Sequence, residues 1–423
     1  GNSTPYNIAI GYNAGASVST GVNNTLIGAL SGDALTASSR NTAVGYNTLT
    51  ADTLGARNTA VGFGSFATQN FTSATDSYNT GLGYQAGMLV TTGVENTFIG
   101  ALSGDASTDA DFNVAVGSQA LGDNTVGSQS VAIGYIALTS QNPASATAMY
   151  NTAVGSQAGA SITTGIENVV IGGLAGDALT TGDDNTALGH QSLSVDTKGS
   201  RNTAIGAFAL ANQNFTSATQ SYNTAVGYGA LITNTTGSEN TSVGGLSGDA
   251  LSTGSNNTVV GSQALSTDTK GSQAVAIGRG ALFAQNFTSA TSNQNVAVGY
   301  HAGTSITTGV QNTLIGGNTG DALTDADYNV VVGKNALSAD TTGSKSTALG
   351  YETLAAQNFS SATDTFNVAV GFQAGAAITT GVRNTLMGGL TGDALTTGRD
   401  NIAIGYLALS SETASDNSVA IGS

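Results

Sequence analysis

Six aspartates, Asp33, Asp105, Asp177, Asp249, Asp321 and Asp393, recur at intervals of 72 residues, each directly after a glycine. Carboxylates can serve as an acid/base pair or hold a hard cation such as Ca²⁺, but only when they converge. If each 72-residue block is four stacked coils, as argued below, neighbouring aspartates lie roughly 19 Å apart, at about 4.8 Å per coil. No two can then act as a pair within one chain. The Gly-Asp pairs read as turns with local hydrogen bonds. A Ca²⁺ site is the sharper reading, but the Gly-Gly-x-Gly-x-Asp nonapeptide of Ca²⁺-binding rolls is absent. The two histidines, His190 and His301, follow Gly189 and Tyr300 and have no partner cysteine or recurring carboxylate. They read as surface residues, and with two of them there is almost no base for the many Ser and Thr hydroxyls. No catalytic, cofactor or metal residue is assigned, and no enzyme is expected.

The aromatic residues offer a different chemistry. Phe71, Phe215, Phe287 and Phe359 sit in Gln-Asn-Phe segments, and Tyr78, Tyr150 and Tyr222 lie seven residues beyond Phe71, Pro143 and Phe215. The plain reading is that these rings pack together and hold a bulging loop. The sharper reading is an exposed loop that stacks on sugars or on a neighbouring fibre. Phe71, Tyr78, Phe215, Tyr222, Phe287 and Phe359 are therefore the candidate contact residues. Asn70-Phe-Thr72 and its copies are also glycosylation sequons, read as coincidental for a bacterial or phage chain.

What positions all of these is a repeat. An Asn-Thr-Ala-Val-Gly unit starts at Asn7, Asn24, Asn41 and Asn58, then at Asn79, and the 17-17-17-21 rhythm continues through 24 units. A fixed short period is the signature of a solenoid. With the motif Asn as position zero, +4 is Gly in all 24 units, and +3 is Ile, Val or Leu except at Met387. A run rich in β-branched residues ending at Gly predicts a strand of about five residues and a sharp turn. Residues +1 and +3 share a face. Because +3 is always apolar, that face is expected to point into the coil. This makes Ile10, Ile27, Val44, Val61, Ile133, Ile205, Ile277 and Ile404 the coil core. Asn occupies position zero in 20 of 24 units, and stacked amides could hydrogen-bond along the solenoid axis. Ala-Leu pairs at +7 and +8 are expected to supply a second inward strand or bend. The 21-residue coils carry the four extra residues, at Gln69, Gln141, Gln213, Gln285 and Gln357, with Pro143 in place of Phe in the second copy.

Composition narrows the classes. The formal charge is −16, with only 9% charged residues, 59 Gly, 2 Pro and no Cys. A Lys-poor acidic chain suits neither nucleic acid nor anionic membranes, and no apolar run is long enough to span a bilayer. Glycine with a strict period and almost no proline is neither collagen nor linker.

Asn202-Thr-Ala-Ile-Gly206 and Asn401-Ile-Ala-Ile-Gly405 resemble the head repeats of trimeric autotransporter adhesins. The 17-residue Asn-Thr-Ala-x-Gly-x-x-Ala-Leu form resembles repeats of phage tail-fibre-like and bacterial surface-fibre proteins. The resemblance implies a left-handed parallel β-roll, often a homotrimer. Together these readings predict an all-β parallel β-solenoid over residues 1–423, a single continuous domain and a segment of a longer fibre protein. The expected function is structural and adhesive: an extracellular, cell-surface or virion fibre making many weak contacts. A phage tail-fibre shaft is the alternative. Self-association is expected, as a homotrimer with the small +2 residues at its axis or, as the rival, by head-to-tail stacking. Cell-surface glycans are the other partner considered. An ice-binding solenoid would need Thr-x-Thr in a flat outward array, and the single Thr column at +1 is assigned inward. A glycan-active β-helix would need clustered charges in a groove, which ten Lys and Arg do not form.

Overall fold

The computed structural model describes residues 5–423 as a parallel β-solenoid without helix among them. Its packing groups into two compact units. One runs up to Ala207 and includes Asn214–Gln220; the other comprises Phe208–Gln213 and Ser221–Ser423. Each holds twelve three-residue strands, one per motif, at positions +1 to +3. Neighbours pair in parallel and in register, as Thr25↔Thr42, Leu26↔Ala43 and Ile27↔Val44 in the first unit and Thr313↔Val330, Leu314↔Val331 and Ile315↔Val332 in the second. The strands are shorter than the five residues expected. Five further two-residue pairs, such as Gly55–Ala56 with Thr75–Asp76, join third and fourth coils beside the insertions.

The chain turns through left-handed backbone. Gly at +4 has φ near +130° throughout, for example +127° at Gly28 and +138° at Gly45. A side chain there would run into the carbonyl of the next coil's glycine, so this glycine is required by φ and by close approach together. Position +8 is also left-handed, and it is Gly or Leu in every coil but one, which has Phe66. Leu49 (φ +48°) fills the interior of a coil whose +2 residue is Ala43. Gly32 (φ +54°) leaves that volume to Leu26 and Leu35, whose methyls would lie 2.7–2.9 Å from any Cβ placed there. One apolar volume is thus filled from +8 or from +2 and +11, which keeps the core at constant cross-section while the sequence varies. The Ala-Leu pair at +7 and +8 is accordingly a turn, not a second strand.

The face assignment made from the motif is reversed. Residue +2 is buried in every coil except the two ending the chain, and position zero is buried with it, whereas +1 and +3 point outward. Ile10, Ile133 and Ile404 are exposed, and Ile27, Val44, Val61, Ile205 and Ile277 are half-buried, so none belongs to the coil core. The reason lies at position zero, where an Asn amide is buried with hydrogen bonds to neighbouring backbone, while +2 brings Ala, Val, Leu or Phe into the interior beside it. Asn41 donates from Nδ2 to the Gly55 carbonyl at 3.0 Å, and its Oδ1 accepts the Asn58 N–H at 2.9 Å. A satisfied Asn ladder is as good a corner as an apolar one, and strand alternation then turns +1 and +3 out. Buried +2 residues such as Ala204 cannot line an axis between chains.

Candidate functional site

The insertion loops divide into a buried anchor and an exposed tip. Phe71, Phe215, Phe287 and Phe359 are all buried, whereas Tyr78 and Tyr222 are about half exposed at left-handed corners with φ of +50°. Between ring and tyrosine, residues 72–74 and 216–218 are exposed Ser, Thr and Ala. The phenylalanines therefore hold the loop, and any contact made by it falls to the tyrosines and the small polar tips.

Under each phenylalanine lies a carboxylate, the aspartate of the third coil's Asp-Thr-x-Gly segment, to which the motif alone assigns no role. Asp52, Asp196, Asp268 and Asp340 are fully buried at position +11 of the third coil. Asp268 Oδ1 accepts the backbone N–H groups of Gly271 at 2.9 Å and Phe287 at 3.2 Å, and its Oδ2 accepts Gln285 Nε2 at 2.6 Å. Gln285 Oε1 in turn accepts Asn295 Nδ2 at 2.9 Å. Asp340, Gln357 and Asn367 repeat the chain of bonds. Burial pushes the Asp52 carboxyl above its ordinary range even though Gln69, Gly55 and Phe71 all donate to it. The signal was present in sequence: Asp52 and Gln69 are 17 residues apart, the coil period, so both occupy +11 in adjacent coils.

The recurring Gly-Asp carboxylates stay apart. Asp33 accepts the Thr50 hydroxyl at 2.6 Å, and Asp249 accepts that of Ser266, both in the next coil. Asp177 and Asp321 are raised by partial burial and each has an Oδ1 without a partner. Among the described residues, no three His, Asp or Glu side chains come together as metal ligands would. His301 stacks on Tyr300 with ring centroids 4.1 Å apart.

Two surface features run along the coils. The first is the outward strand face, with Thr, Val or Ile at +1 and Ile, Val, Leu or Met at +3, and no charged residue at either position in any of the 24 motifs. At about 4.8 Å per coil and about 10 Å across the two columns, each unit presents on the order of 500 Å² of this surface. The second is an aromatic rib at +5. Tyr46, Phe63 and Tyr84 stack at 5.3 and 5.4 Å in the first unit, and Tyr351 and Phe372 at 5.4 Å in the second. The stacked rings hold one another and stiffen the turn.

The chain matches no protein-family model, and no curated protein matches its sequence.

Proposed function

We propose that this chain is a structural, non-catalytic element of an extracellular or virion fibre, and that its copies associate as homotrimers through the outward +1/+3 face. The observation that carries this reading is the uncharged double column in every motif. Its +3 column is apolar in all 24 motifs and its +1 column is Thr, Val or Ile, and soluble monomers rarely leave a long apolar column uncovered. A second copy is the fitting occupant, because only a surface of the same coil period meets such columns residue for residue. The acidic side chains are kept off this face, which removes the main repulsion between copies of a chain of charge −16. Fibre attachment to a cell or virion, and weak contacts of the loop tips with cell-surface glycans, belong to the same proposal.

The outward turn of the +1 column removes the earlier ground against ice binding. The +3 column still speaks against it, since no motif has Thr there.

Sedimentation tests the assembly. The full chain is expected to run as a trimer at micromolar concentration. Ile133→Arg with Val243→Arg should dissociate it while the circular dichroism stays β-rich, because both side chains point outward. A wild-type chain that is monomeric at that concentration would overturn the trimer. End-to-end polymers insensitive to both substitutions would favour head-to-tail stacking.

A further inference from the structure

In the second unit, one of the glycines at position +6 lies beside an arginine and a histidine. Position +6 carries a side chain in most coils, such as Gln263 and His301, but is Gly280 in the coil between them. The missing side chain leaves a recess of about 190 Å³ lined by Gln263, Arg279, Gly280, Phe283, His301 and Thr304. Arg279 is the only cationic residue among the turn positions that line it. The Arg279 guanidinium lies 5.9 Å from the centre of the Tyr300 ring, and one of its nitrogens donates to the Tyr300 hydroxyl at 3.3 Å. Among the described residues it has no carboxylate at ion-pair distance, unlike Arg57, Arg201, Lys345 and Arg383. Tyr300 fixes the guanidinium from one side, and its remaining N–H groups are left for a ligand.

We propose that this recess binds a single acidic sugar residue, its carboxylate on Arg279 and its ring against Phe283. A guanidinium presents a planar fork that matches a carboxylate. The partly exposed Phe283 ring in the lining suits the C–H side of a pyranose, and Gln263, His301 and Thr304 supply partners for hydroxyls. The volume lies below the usual range for drug-sized ligands and suits one ring. The chain has just two histidines and ten Lys and Arg, so the meeting of Arg279 with His301 is not a consequence of the repeat. This site lies on the turns and does not depend on how the strand faces assemble.

The probe is methyl glucuronide, titrated into the full chain and followed by calorimetry or ligand-observed NMR, with methyl glucoside and inorganic sulfate as controls. The glucuronide is expected to bind, and the glucoside to bind at least about tenfold more weakly. Arg279→Gln should weaken the glucuronide by about tenfold. Gly280→Gln should abolish binding by filling the recess; it installs the residue that other coils carry at +6, such as Gln85 and Gln119, so the coil should still fold. The nearest atoms to a Cβ at Gly280 would be those of the His301 ring, at 3.1 Å, and its φ of +64° lies in the left-handed region that Gln85 and Gln119 also adopt. Glucuronide binding no tighter than glucoside, or binding that survives both substitutions, would overturn the proposal. Sulfate binding as tightly as glucuronide, with the same dependence on Arg279, would reduce the recess to a simple anion site and overturn the sugar assignment.

Discussion

The loops at residues 285–294 and 141–150 occupy equivalent coils but are anchored differently. In the first, Asp268 receives the N–H of Phe287 as well as those of Gly271 and Gln285. In the second, Pro143 replaces the phenylalanine and has no N–H to give. The residue beneath it is Asn124 in place of Asp. Asn124 Oδ1 accepts the Gly127 N–H at 3.0 Å and its Nδ2 donates to the Gly127 carbonyl at 2.7 Å. Gln141 loses its carboxylate partner, and its Nε2 is buried without one. Met149 is buried where the other loops have Ser77, Ser221, Asn293 or Thr365. A buried carboxylate is thus kept where three donors meet it and is replaced by a neutral amide where one donor is missing. The comparison teaches that the unit of this loop is the Asp–Gln–Phe set, not the phenylalanine alone.

The largest effect should come from converting the first loop toward the second. Phe287→Pro removes a buried ring and one donor to a buried charge, and should cost about 3–5 kcal/mol in local opening. Asp268→Asn added to it should recover about 1–2 kcal/mol, whereas alone it should be destabilising, because Gln285 then loses its acceptor. Hydrogen exchange of amides 268–294 reads this better than global melting, since a repeat array need not unfold in one step. Strict additivity of the two substitutions would break the comparison.

A smaller effect is expected in the opposite direction. Asn124→Asp places a carboxylate under Pro143 with fewer donors, offset in part by a new partner for Gln141. It should destabilise amides 124–150 by about 1–3 kcal/mol at pH 7 and be nearly silent once the carboxyl is protonated. Pro143→Phe in that background should recover part of the loss.

The smallest effect needs no mutation. The Asp52 carboxyl is raised in the folded chain, so the fold favours its protonated form. Its contribution is fully present below the unfolded value of about 3.9 and is lost as pH rises through the folded one. Opening of segment 52–78 should therefore become harder as pH falls from neutral toward 4, relative to segment 124–150, where Asn124 does not titrate. Equal pH dependence of the two segments would show that Asp52 is not the group responsible.

How far these features were legible in the sequence follows from the same residues. The invariant Gly at +4 and the 17-17-17-21 rhythm give the solenoid, its coil count and its turn, because only one backbone geometry tolerates that glycine at that spacing. The faces were not legible, because Ile205 looks more like core than Asn202 or Ala204. Hydropathy does not register that the Asn amides are paired within the ladder. The loop anchor was half legible. Phe71 and Gln69 stood out as an insertion, but Asp52, a coil earlier in the chain, showed its role only when the coils were stacked.

Thiol labelling tests the central claim, that the +3 column faces outward and is covered by other copies. The chain has no native cysteine, so Val61→Cys and Ala60→Cys can each be labelled alone. The account predicts that the Val61→Cys thiol reacts rapidly in dilute, dissociated chain and slowly in concentrated, assembled chain. The Ala60→Cys thiol should react slowly in both, since Ala60 is fully buried. Equal reactivity of Val61→Cys at all concentrations, or faster labelling at Ala60→Cys than at Val61→Cys, would contradict it.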